Sequence, residues 1–126
     1  MLTDAQIEHG KAHAPKDLEG HHEHNDCIRM AYEWLDAQTK TKTIRKTYDP
    51  LKHIIEKWSG RYVSATDVMV AAWLHPDIKG AYPNFNISSR LTMPSVSRLQ
   101  GISEAGKHNP IGGDYSASTY KQTEPA

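Results

Sequence analysis

The chain has 126 residues, with 15 Lys+Arg against 15 Asp+Glu and a single cysteine, so its formal charge is zero. That length holds one hydrophobic core, and the neutral balance argues against sequence-blind duplex DNA binding and against a strongly acidic DNA mimic. The lone Cys27 excludes an intrachain disulfide framework, and the opening residues lack the basic and apolar regions of a secretory signal, so a cytoplasmic protein without a membrane span is expected.

The charges are unevenly spread. Residues 1 to 26 carry two lysines against six acids, residues 27 to 66 eight basic side chains against four acids, and residues 67 to 126 five of each. A basic middle third can attract an anion.

Thr3 and Gln6 have the spacing of a capping box, which predicts a short helix over about 4 to 9, limited by Gly10 and Pro15. Residues 1 to 24 otherwise read as a polar, histidine-rich arm. It holds His9, His13, His21, His22 and His24, with Glu23, Asp26 and Cys27 close by. Imidazoles, carboxylates and thiolates hold zinc, but the spacing matches no standard zinc signature. Exposed histidines are the simpler reading, and neither a metal nor a cofactor is assigned.

Three principal helices follow within a globular domain spanning 25 to 106. The first runs from Asn25 or Asp26 to Thr39, with Asp26 as N-cap and an apolar stripe of Ile28, Ala31, Tyr32 and Leu35. A basic Thr/Lys connection separates it from the second helix, which Asp49-Pro50 starts, Leu51, Ile54, Ile55 and Trp58 line, and Ser59-Gly60 stops. Ser64 and Asp67 repeat the capping box before Val68, Ala71, Ala72 and Leu74, and Pro76 ends the third. Trp34, Trp58 and Trp73 fall one per helix and read as a shared core.

Beyond Pro76 the pattern leaves two alternatives for residues 82 to 93. They form either an extended segment with Phe85, Ile87, Ser89 and Leu91 on one face, or a short helix capped by Asn86. Pro94 to Ile102 suits one or two helical turns, with Val96, Leu99 and Ile102 three apart. Residues 107 to 126 read as a flexible tail. The expected fold is therefore mainly α: a small helical domain with an irregular or partly extended C-terminal segment and polar terminal arms.

No P-loop, nucleophile elbow or dinucleotide fingerprint occurs, so no catalytic residue is assigned. The compact helix-turn-helix is excluded by the roughly twenty residues and two prolines between its would-be helices. The segment 82 to 98 fits recognition best. Tyr82 and Phe85 can stack on a flat ring, while Asn84, Asn86, Ser88, Arg90 and Arg98 supply donors suited to phosphate or carboxylate. The expectation is a small non-enzymatic binding or regulatory module for a protein partner or an anionic, phosphate-bearing ligand, with homo-oligomerisation left open. A small metal- or histidine-dependent hydrolase or nuclease-like enzyme is one alternative. A nucleic-acid-binding accessory protein, depending on Lys42, Arg45 or Lys46, is the other.

Overall fold

A computed structural model describes residues 1 to 15, 20 to 112 and 119 to 126. It is mostly helical, with four α-helices, the three principal ones expected and a longer N-terminal one: α1 (Asp4–His13), α2 (Asn25–Asp36), α3 (Leu51–Ser59) and α4 (Ala65–Leu74). No described helix is long and apolar enough to cross a membrane.

The first helix is longer than the sequence suggests because Gly10 does not break it. The capping box forms, with Gln6 N–H donating to Thr3 Oγ1 at 3.1 Å and Thr3 N–H donating to Gln6 Oε1 at 2.8 Å. Ile7, Gly10 and Ala14 then turn inward, and α1 packs on α4. A Cβ at Gly10 would lie 2.9 Å from Val70 Cγ1 and 3.0 Å from Leu74 Cδ1. The glycine is what lets the helices approach, and this part of the supposed arm belongs to the core.

Helix α2 buries Cys27, Ile28, Met30, Ala31, Trp34 and Leu35. Its N-cap is His24, whose Nδ1 accepts from Asp26 N–H at 3.0 Å, rather than the expected Asp26. Asp26 instead sits in the first turn, accepting from Arg29, the Ser103 hydroxyl and the Glu104 N–H. In α3, Pro50 precedes the first helical residue and no side chain caps it; Gly60, at φ 71°, ends it in the left-handed region. A side chain there would collide with Asn109 O, 2.2 Å from an added Cβ. Helix α4 begins at the Ser64–Asp67 capping box as expected and is buried on most sides, against α1 and α2.

The C-terminal part is irregular, with strands of two residues each. β1 (Gly80–Ala81) pairs antiparallel with β2 (Asn84–Phe85), and β3 (Thr92–Met93) pairs parallel with β4 (Gln122–Thr123). The extended alternative therefore describes residues 82 to 93: Phe85, Ile87 and Leu91 are buried and Ser89 is exposed. A 3-10 helix, Val96–Leu99, follows; Leu99 and Ile102 reach the core while Val96 stays half exposed.

The tail reading is also incomplete. Tyr120 is buried, and its hydroxyl accepts from Trp34 Nε1 at 3.0 Å. Residues 113 to 118 of that segment lie outside the described residues, as do 16 to 19 of the N-terminal arm. Trp34 and Trp58 are core residues, but Trp73 is 44% exposed, which corrects the expectation of three buried indoles. At its position on α4 the ring falls between the buried face and solvent.

Candidate functional site

The segment 39 to 47, basic by sequence, lies against residues 77 to 88. Ser88 N–H donates to Thr39 O at 2.8 Å, Thr41 N–H to Asn86 O at 2.8 Å and Arg45 N–H to Phe85 O at 3.1 Å. Arg45 Nε adds a bond to Ile87 O at 3.1 Å, and Thr47 N–H donates to Asn84 Oδ1 at 2.8 Å. Residues far apart in sequence thus share one backbone framework.

Asn86 joins three chain segments. Its Oδ1 accepts from Lys79 N–H at 2.6 Å, and its Nδ2 donates to Asp77 O at 3.0 Å and Thr41 O at 3.4 Å. Gly80, at φ 109°, completes the turn; an added Cβ would stand 2.1 Å from Asn84 O and 3.3 Å from Ile44 Cγ2. Glycine is required both by the torsion and by the close backbone.

This framework carries a ledge of cations. Lys42, Lys46, Lys79 and Arg90 are exposed and Arg45 is half-buried. Among the described residues none of the five pairs with a carboxylate, and Arg45 Nη2 has no hydrogen-bond partner. Ile44 and Tyr48 stand out beside them at 56% and 85% exposure, with the Lys46 ammonium 5.6 Å from the Tyr48 ring centre. The contrast with the other arginines is sharp. Arg29 bonds Asp4 and Asp26, Arg61 bonds Glu23 and Glu104, and Arg98 bonds Glu33, Asp36 and Glu124.

The sequence-predicted residues therefore divide by role. Asn84, Phe85 and Asn86 build the framework; Phe85 and Asn86 are themselves buried. Ser88 Oγ accepts from Arg90 N–H at 3.1 Å and shapes the turn that presents Arg90. Arg98 lies in a separate ion-pair cluster, gripping both Glu124 oxygens at 2.7 Å. Its bonds hold the Glu124 carboxyl below the usual carboxylate range. Tyr82 meets Phe85 edge-on, with ring centres 6.2 Å apart, at a neighbouring apolar groove of about 360 Å³ that Met69, Ala72, Trp73 and Ile78 also line. Lys42, Arg45 and Lys46 were expected as contacts only under the nucleic-acid alternative, and Lys79 was not among the expected contacts at all.

The buried ionisable groups elsewhere are engaged structurally. His75 Nε2 meets Asp36 Oδ1 at 2.8 Å while its Nδ1 accepts from Asp77 N–H at 3.1 Å. His22 Nδ1 meets the buried Asp67 at 2.9 Å, and no described group reaches its Nε2. Burial pushes the Cys27 thiol up to about 12, and its Sγ donates to Tyr62 O at 3.4 Å, so it is a packed thiol at neutral pH. Among the described residues no three His, Cys, Asp or Glu side chains converge as metal ligands. No protein-family model, curated protein or solved structure matches the chain.

Proposed function

We propose that the protein is a non-enzymatic binding or regulatory module whose basic ledge, Lys42, Arg45, Lys46, Lys79 and Arg90, receives an acidic partner protein. The observation that carries this reading is that five cations, none paired with a carboxylate among the described residues, are carried by chain segments that one backbone hydrogen-bond framework joins. Like charges gathered on one surface repel each other at some cost to the fold, and an incoming anionic surface relieves that repulsion. Ile44 and Tyr48 add exposed apolar contact of the kind that anchors protein interfaces. An open ledge suits an extended surface better than a small anion, which favours enclosure. A cytoplasmic setting remains part of the proposal.

The test is fluorescence anisotropy with a labelled Glu-rich peptide, comparing the native protein, a Lys42→Glu/Lys46→Glu double variant, and Lys57→Glu. Lys57 is an exposed lysine on α3 outside the ledge. Binding lost in the double variant and kept in Lys57→Glu supports the reading. Equal binding by all three, or by none, refutes it.

One observation favours a second reading. Tyr48 is 85% exposed with the Lys46 ammonium beside its ring, an arrangement that stacks bases of single-stranded nucleic acid. A single-stranded oligonucleotide used as probe in the same assay distinguishes the two: binding that falls steeply along a salt titration and is lost with Tyr48→Ala favours nucleic acid.

A further inference from the structure

Helix α1 brings two histidines of the N-terminal segment onto one surface. His9 and His13 are four residues apart, so they lie one above the other on the helix, both exposed, with ring centres 4.2 Å apart. A helix that stopped near residue 9 would not bring them together; α1 does so because it continues to His13. Their separation is the one that places two imidazoles within reach of a single ion.

The hydrogen bonding supports the same use. His13 Nδ1 lies 2.9 Å from His9 O. A carbonyl oxygen can only accept, so the proton sits on Nδ1 and the Nε2 lone pair is left for a ligand. Backbone-anchored imidazoles of this kind are the usual orientation in metal centres. The His9 ring has no hydrogen-bond partner among the described residues. Trp73 packs beside both rings, at 5.7 Å from His9 and 6.3 Å from His13 between centres, and limits their rotation. His13 also stands in the last turn of α1, where the negative end of the helix dipole favours a cation.

We infer that His9 and His13 form a two-point site for a late first-row divalent metal ion such as Zn²⁺, Ni²⁺ or Cu²⁺, with the remaining coordination positions open to water. Imidazole nitrogen suits these ions and not Mg²⁺ or Ca²⁺. Bridging one turn, the ion ties together a short helix that contains a glycine. The site uses none of the ledge residues and stands independently of the proposed function.

The experiment takes the untagged full chain and adds Zn²⁺ alone, following heat of binding and melting temperature, with Cu²⁺ quenching of tryptophan fluorescence as an optical readout. One ion is expected per chain, with a melting temperature that rises with Zn²⁺ concentration. His9→Ala and His13→Ala each lower the affinity by roughly tenfold or more, since the second imidazole no longer binds at high effective concentration. Trp73→Phe removes most of the Cu²⁺ quenching while Zn²⁺ still binds. Both histidines are exposed, and unchanged melting of the metal-free variants shows that the fold is intact. The inference is overturned if Zn²⁺ fails to bind, if it binds equally to His9→Ala and His13→Ala, or if binding depends instead on His21, His22 or His24.

Discussion

Replacing Arg98 by alanine removes a cation that Glu33, Asp36 and Glu124 share. Its guanidinium donates four hydrogen bonds of 2.7 to 2.9 Å to those carboxylates, linking the 3-10 helix to α2 and to the strand that ends at Thr123. Breaking a fully buried pair costs about 3 to 5 kcal/mol, and an exposed pair contributes about 0 to 1 kcal/mol. The Arg98 side chain is 20% exposed and its partners 23 to 43%, so the expected loss lies between these limits, near 2 kcal/mol. For a chain of this length that lowers the melting temperature by about 6 to 10 °C. The pH dependence supplies a second check. The Arg98 hydrogen bonds hold Glu124 below its ordinary value, and for Asp36 burial acts upward but is outweighed by hydrogen bonds from His75 and Arg98. Groups depressed in the folded state stabilise it above the unfolded value, near 4, and lose that contribution as pH falls through the lower folded value. The gap between native protein and variant is therefore full at pH 7 and closes below about pH 4. Urea denaturation of Arg98→Ala, Glu124→Gln and the double variant at both pH values measures it. A difference under about 0.5 kcal/mol at pH 7, or a gap that widens in acid, refutes the reasoning.

Gly80→Ala forces a β-carbon onto Asn84 O at a positive torsion and should cost about 1 to 3 kcal/mol or more by thermal melting, while also weakening ledge binding. Asn86→Ala leaves the Lys79 amide and two carbonyls without their side-chain partner; a loss of about 1 to 3 kcal/mol is expected in urea denaturation, with no matching loss in Arg90→Ala, whose side chain is exposed. Trp58→Ala should cost about 3 to 5 kcal/mol and Trp73→Ala distinctly less, because the first indole is 1% exposed and the second 44%. Cys27 should resist thiol reagents at pH 8 in the folded protein and react at once in denaturant; rapid labelling of the folded state would contradict a buried thiol held at about 12.

The helices were readable where local chemistry is decisive. Both Thr3–Gln6 and Ser64–Asp67 form as capping boxes, and the stripe Leu51, Ile54, Ile55 and Trp58 faces inward as its spacing requires. What escaped the sequence depends on partners distant along the chain. Gly10 looks like a helix breaker until Val70 and Leu74 are seen pressed against it, and Tyr120 sits in a polar stretch whose apolar spacing is too sparse to signal burial. The candidate site was legible as a composition and not as a geometry. Arg98 and Arg90 look equivalent in sequence, yet one is enclosed by three carboxylates contributed by residues 33, 36 and 124 and the other is exposed. Likewise Asn84 and Asn86 have the chemistry of ligand contacts, but their amides are engaged by the backbone of the neighbouring segments.

The bond from Trp34 to Tyr120 joins residues 86 positions apart. During synthesis Trp34 emerges from the ribosome well before Tyr120, by several seconds at ordinary elongation rates of about 5 to 20 residues per second. Over that interval the indole N–H has no phenol to bond, and the helices can assemble around it only in an unfinished form. Closing so long a loop carries an entropic barrier that no local contact offsets in advance. The core around Trp34 is therefore completed only when the segment carrying Tyr120 docks, which ties the last-made part of the described chain to one of its earliest helices.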